Sequence, residues 1–108
     1  MNLSLYLWQR GTAILMAPMV LVHLAVIFYA TRHGLTAGEI LGRVRGSIGW
    51  GGFYALFVVA ASIHAGIGVR NVLAEWSPLG ERAAGIAALT FAVLLCALGL
   101  RAVTAVAL

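Results

Sequence analysis

Charge is what this chain has least of. It carries no Lys and no Asp, and its 108 residues hold seven Arg and three Glu, 9% charged in all. A soluble domain is usually about 25% charged, and ten groups cannot cover the surface of a domain this size. The same shortage excludes a disordered chain, which needs low hydrophobicity, because 63% of the residues are hydrophobic. Cysteine is nearly absent as well. Cys96 stands alone in an apolar run, so no internal disulfide can form. Only Pro18 and Pro78 interrupt the backbone. A net charge of +4 raises the question of nucleic acid, but the Arg residues are scattered singly rather than gathered into a phosphate-binding stripe, which excludes that partner.

What is present is apolar sequence in long pieces. Charge-free stretches cover residues 11–31, 46–69 and 83–100, bounded by Arg10 and Arg32, Arg45 and Arg70, and Arg82 and Arg101. A helix needs about 20 apolar residues to cross a bilayer, and each stretch approaches or exceeds that length. The reading is an all-α membrane protein with a single domain, 1–108, in which three transmembrane helices (about 11–31, 46–72 and 83–105) run up, down and up. The first is too long for the apolar part of a signal peptide. Pro18 is expected to kink or loosen it, which a membrane bundle tolerates. Tyr6, Trp8, Tyr29, Trp50, Tyr54 and Trp76 lie toward span ends, as an aromatic belt requires.

Between the first two spans, residues 36–45 suit a short amphipathic helical segment at the surface, and Ser77-Pro78 ends the second span. Arg10, Arg70 and Arg82 fall on one side of the membrane; Arg32, Arg43, Arg45 and Arg101 fall on the other. Three against four leaves the orientation open.

Polar residues inside spans are costly and need a reason. His64 lies in Ala60-Ala61-Ser62-Ile63-His64-Ala65-Gly66-Ile67-Gly68. Helical offsets of three, four and seven put Ala60, Ala61, Gly68 and Asn71 on its face. A face cleared of bulk beside an imidazole admits a flat macrocycle, and neutral imidazole is a common axial ligand of haem iron. Small residues and a His also serve close helix packing and interhelical hydrogen bonding, so the pattern admits both uses. His23 lies thirteen residues from Arg10 and His64 six from Arg70. At 1.5 Å per residue these are depths of about 20 and 9 Å from one membrane face. One iron cannot join both, so a second ligand to an iron at His64 comes from another chain.

A second group gathers at that face: Arg10 opens the first helix, and Arg70, Asn71, Glu75 and Trp76 close the second. Arg10 or Arg70 can pair with Glu75 or bind a carbonyl or carboxylate of a ligand. Arg and Trp at span ends are also routine anchors.

The run from Ser62 to Trp76, with His64, Gly68, Arg70 and Glu75-Trp76, resembles the second-helix signature of the membrane anchor subunits of succinate dehydrogenase and fumarate reductase, the complex II enzymes. Gln9-Arg10-Gly11-Thr12-Ala13 resembles the opening of their first helix. The likeness spans about residues 6–80 and is shared between the hydrophobic anchor and the cytochrome b556 subunit types.

The resemblance implies a subunit that does no chemistry alone. It would hold an iron–sulfur subunit and a flavoprotein subunit at the membrane, share haem b with a second anchor subunit, and help bind quinone in an electron-transport complex. His64 stands at the family's haem b ligand, with Arg10, Arg70 and Gly68 beside the cofactor. Arg10, Asn71, Glu75 and Trp76 stand around the quinone. Glu75 and Trp76 occupy positions where many members have Asp and Tyr, and Trp offers an N–H donor but no hydroxyl. The resemblance also implies a bacterial inner membrane with a cytoplasmic N-terminus. A small transporter subunit, or a structural membrane protein without cofactor, is the other class this composition allows. Proton-coupled transport ordinarily needs a carboxylate inside the membrane, and no span contains Asp or Glu.

Overall fold

The computed structural model describes residues 2–108 and consists of four helices, with no strand among the described residues. Three are long: α1 (Leu3–Arg32), α3 (Ile48–Trp76) and α4 (Glu81–Ala107); α2 (Ala37–Val44) is short. All three long helices have the length and apolar composition to cross a membrane. The molecule measures 48 × 23 × 23 Å, and a bilayer with its headgroups is about 40–45 Å thick. The three-span bundle read from the charge spacing is the architecture observed.

α1 begins earlier than the apolar stretch does. The side chain of Asn2 accepts a hydrogen bond from the Leu5 amide at 2.9 Å and caps the helix there, so Arg10 sits two turns inside α1 rather than opening it. Pro18 lies within α1, which runs unbroken from Leu3 to Arg32. Its missing N–H is absorbed without ending the helix.

α2 is the amphipathic segment expected between the spans, and its start is held by a reciprocal cap. Thr36 Oγ1 accepts from the Glu39 amide at 3.2 Å, while Glu39 Oε1 accepts from the Thr36 amide at 3.3 Å. Thr36→Ala removes one of these bonds. It should weaken the first turn by about 1 kcal/mol and raise amide exchange at Glu39 and Ile40 about fivefold, read by hydrogen exchange in detergent. Gly46 then turns the chain at φ +79°, a conformation side chains disfavour, and its N–H reaches Ala107 O at 2.8 Å. Arg45 Nη2 donates to Ala105 O at 3.0 Å. These bonds tie the loop to the end of α4, so α2 and the end of α4 share one side of the bundle.

α3 packs against both α1 and α4. Its contact with α4 is made by small residues, as membrane helices require when no hydrophobic driving force draws them together. Ala60, Ser62 and Gly66 of α3 and Ala84 and Ala88 of α4 are buried. A Cβ on Gly66 would lie 2.8 Å from Ala92 Cβ, and one on Gly99 would lie 2.5 Å from Val58 Cγ1. Large apolar side chains point outward: Leu21 and Leu24 on α1, and Leu89, Leu94 and Leu98 on α4, are exposed. This is the inverse of a soluble core and suits a helix bundle in lipid or among other membrane helices.

Candidate functional site

The site is built where α1 crosses the small-residue stretch of α3. Thr12 is buried on α1, and its hydroxyl lies 3.2 Å from His64 Nδ1 on α3. Gln9, one turn earlier on α1, brings Nε2 to 3.7 Å from where a Gly68 Cβ would be. A Cβ at position 68 would make ordinary contact with Gln9, and glycine leaves the wall beside His64 lower than any side chain would. Further along, His23 of α1 meets Tyr54 and Phe57 of α3, with ring centroids 5.7 and 5.5 Å apart. Paired positions rise on one helix as they fall on the other, as an antiparallel pair demands.

Two crevices that share Gln9 and His64 as lining residues open at this crossing. One, of about 450 Å³, is lined by Gln9, His64, Ala65, Gly68, Val69 and Val72, with Leu73 and Phe91. The other, of about 380 Å³, is lined by Gln9, Arg10, Ala13, Ile14, Ala17 and His64. Each is in the size range of a ligand pocket, and both are mostly apolar with a few polar groups. His64 is half-buried, whereas Arg10, Ala13, Ile14 and Ala17 are exposed, so the outer wall of the second crevice is open. Gln9 Oε1 is buried without a hydrogen-bond partner. That carbonyl is an acceptor open to a donor at this crossing.

The structure thus brings His64, Gly68 and Arg10 together around two adjoining crevices. It places Arg70 elsewhere, along a third crevice with Leu5, Trp8, Gly66, Ala88 and Ala92. Six residues at 100° each turn Arg70 by about 240° from His64, toward α4. Asn71 is half-buried one turn beyond Gly68, while Glu75 and Trp76 are exposed at the end of α3, Trp76 by 84%. The Arg10 guanidinium lies over the Tyr6 ring, 5.8 Å from its centroid. Among the described residues no ion pair holds it to Glu75. Arg10 is exposed, with Tyr6 as its neighbour.

His23 is a separate feature. Its Nδ1 is buried without a partner, and it lines a cavity of about 420 Å³ with Tyr54, Phe57, Ala61 and Val103. His23 and Thr12 are eleven residues apart on α1, about 16 Å, which exceeds the 10 Å difference in depth that sequence alone gives. His33 stacks on Tyr29 at 4.2 Å in the exposed loop, as its position outside the spans implies. Among the described residues no three His, Cys, Asp or Glu side chains gather into a ligand set.

Thr12 and Gln9 are the site residues that a reading of helix faces passes over. Both fall within the stretch Gln9–Ala13 that carries the first-helix likeness, two and one positions from Arg10. That proximity was the available signal.

The model of the succinate dehydrogenase/fumarate reductase transmembrane subunit family matches residues 1–99. The chain belongs to that family. It is an integral membrane subunit, and membership implies a succinate dehydrogenase or fumarate reductase complex with other subunits. No curated protein and no solved structure matches it.

Proposed function

We propose that this subunit anchors a complex II-type succinate:quinone oxidoreductase in the membrane, would hold haem b through His64, and forms part of the quinone site at the Arg10 end. One observation carries the reading: the half-buried imidazole of His64 meets Thr12 between two apolar crevices, one of them lined by Arg10. The residues fit a haem. An imidazole can ligate the iron, Gly68, Ala13 and Ala17 keep the walls low, and a guanidinium suits a propionate. When bound, haem b supplies a one-electron store tuned by its axial ligands and burial. His64 would hold it, with Gly68 and Arg10 alongside; Arg70 points to another crevice and would act there or at the headgroups.

Any further residue holding the haem would come from the partner anchor subunit. His23 is too distant, and the exposed flank of α1 beside the second crevice is where another chain can approach. Quinone would meet Arg10 as a cationic donor to a carbonyl oxygen. Asn71, Glu75 and Trp76 close the same end of α3, with the indole N–H as a further donor. Above them would sit the iron–sulfur subunit and the flavoprotein, on the cytoplasmic side of a bacterial inner membrane.

The test is electron delivery by the purified complex. Native complex should pass electrons from succinate both to quinone and to a water-soluble dye. Arg10→Leu should lower quinone reduction about tenfold or more while the dye rate holds, because one charge-assisted bond is lost from the quinone but not from the flavin. A native rate of quinone reduction in Arg10→Leu would remove Arg10 from the quinone site. Absence of any flavoprotein from the native preparation would remove the anchor role.

A further inference from the structure

We propose that Thr12 is a positioning residue for His64: its hydroxyl accepts a hydrogen bond from Nδ1–H across the α1–α3 interface and so leaves Nε2 as the nitrogen presented to iron. The inference rests on the haem reading of His64 above and adds the tautomer and the residue that sets it.

The argument is a count of protons. A threonine hydroxyl has one hydrogen and two lone pairs. Thr12 Oγ1 lies 2.7 Å from Trp8 O and 3.1 Å from Gln9 O, the two carbonyls of the preceding turn. Carbonyl oxygens only accept, so the one hydroxyl hydrogen is directed to them. The contact of 3.2 Å with His64 Nδ1 must then use an oxygen lone pair, which requires the hydrogen to be on Nδ1. In neutral imidazole the other nitrogen, Nε2, is unprotonated and carries the free lone pair. Thr12 is buried at 6% exposure, so water does not compete with it for this bond.

The arrangement has two consequences for a bound haem. The hydrogen bond comes from a different helix than the ligand, so it fixes the ring's rotation and ties it to the packing of α1 on α3. Donation from Nδ1–H also makes Nε2 more electron-rich, which favours the ferric state. A hydroxyl is a neutral, modest acceptor, so the effect is smaller than a carboxylate would give.

Two measurements test this. In the intact complex, a potentiometric titration of the haem should show Thr12→Val shifted toward the ferrous state by a severalfold change in the oxidation–reduction equilibrium constant, with altered low-spin electron paramagnetic resonance. Thr12→Ser, which restores the hydroxyl, should match the native complex. Thr12→Val with native potential and spectrum would overturn the proposal, as would a Thr12→Ser that behaves like Thr12→Val.

The second measurement does not depend on haem or on the variants assembling. The full chain, labelled with ¹⁵N-histidine, made without haem and placed in lipid vesicles, should show His64 as the Nδ1–H tautomer by solid-state nuclear magnetic resonance, with His64→Gln identifying the signal. The Nε2–H tautomer would overturn the proposal even if the haem reading stands. A native complex without haem would overturn the haem reading while leaving the Thr12–His64 bond to be read from the nitrogen shifts.

Discussion

The His64→Ala complex is expected to lose the low-spin b-type difference spectrum, by roughly tenfold or more in amplitude, while its succinate-to-dye activity persists. Loss of an outer hydrogen-bond partner alone commonly costs 10–100-fold in metal affinity, and here the ligand itself is gone. No neighbour can take its place. Arg10 has no lone pair to offer, and Thr12, a neutral hydroxyl whose hydrogen is given to Trp8 O, is a poor substitute for an imidazole nitrogen. His23 has a nitrogen without a partner, but it lies about 16 Å further along α1. His23→Ala therefore serves as the control and should keep the spectrum. A His64→Ala complex with an unchanged spectrum would assign the ligand to other residues, and a spectrum lost only in His23→Ala would move the site to the opposite end of the bundle.

Gly66→Leu is expected to disrupt the bundle itself. The first added carbon would stand 2.8 Å from Ala92 Cβ, a methyl fixed to its helix that cannot rotate away, with Ala88 O already in contact at 3.6 Å. Extra methylenes in a packed interior cost about 1–3 kcal/mol, and a leucine adds more than one. With no lateral hydrophobic drive to compensate in lipid, α3 and α4 should separate. In detergent the thermal midpoint should fall by about 10 °C or more, with loss of monodisperse protein. Gly52→Leu makes the same chemical change where nothing lies within 4 Å, and it should leave the midpoint within a few degrees. A Gly66→Leu chain as stable as Gly52→Leu would contradict the α3–α4 packing described.

These two residues also mark the boundary of what sequence discloses. The spans were legible because Arg residues frame them; an apolar stretch of that length has no soluble alternative. The amphipathic α2 was legible from the mixed polar and apolar residues between Thr36 and Arg45, and its Thr36–Glu39 cap came only with the structure. The start of α1 was not, because Asn2 caps the helix outside the apolar stretch and a charged residue such as Arg10 can sit within a helix near the membrane surface. His64 stood out as a polar group with small neighbours, all of them on its own helix. Thr12 did not, since its pairing with His64 spans 52 positions and depends on which faces α1 and α3 present to each other. Arg70 seemed to belong with Arg10 by membrane depth; depth says nothing of azimuth, and its six-residue offset from His64 directs it toward α4. The site therefore needs both coordinates, and only the packed helices supply the second.

The most direct measurement of the central claim is a dithionite-reduced minus oxidised spectrum of the native complex, purified through this chain, with its subunits identified by mass spectrometry in the same sample. The account predicts a b-type haem together with a flavoprotein, an iron–sulfur subunit and a second membrane subunit. A preparation holding the chain with none of these partners and no haem would contradict it.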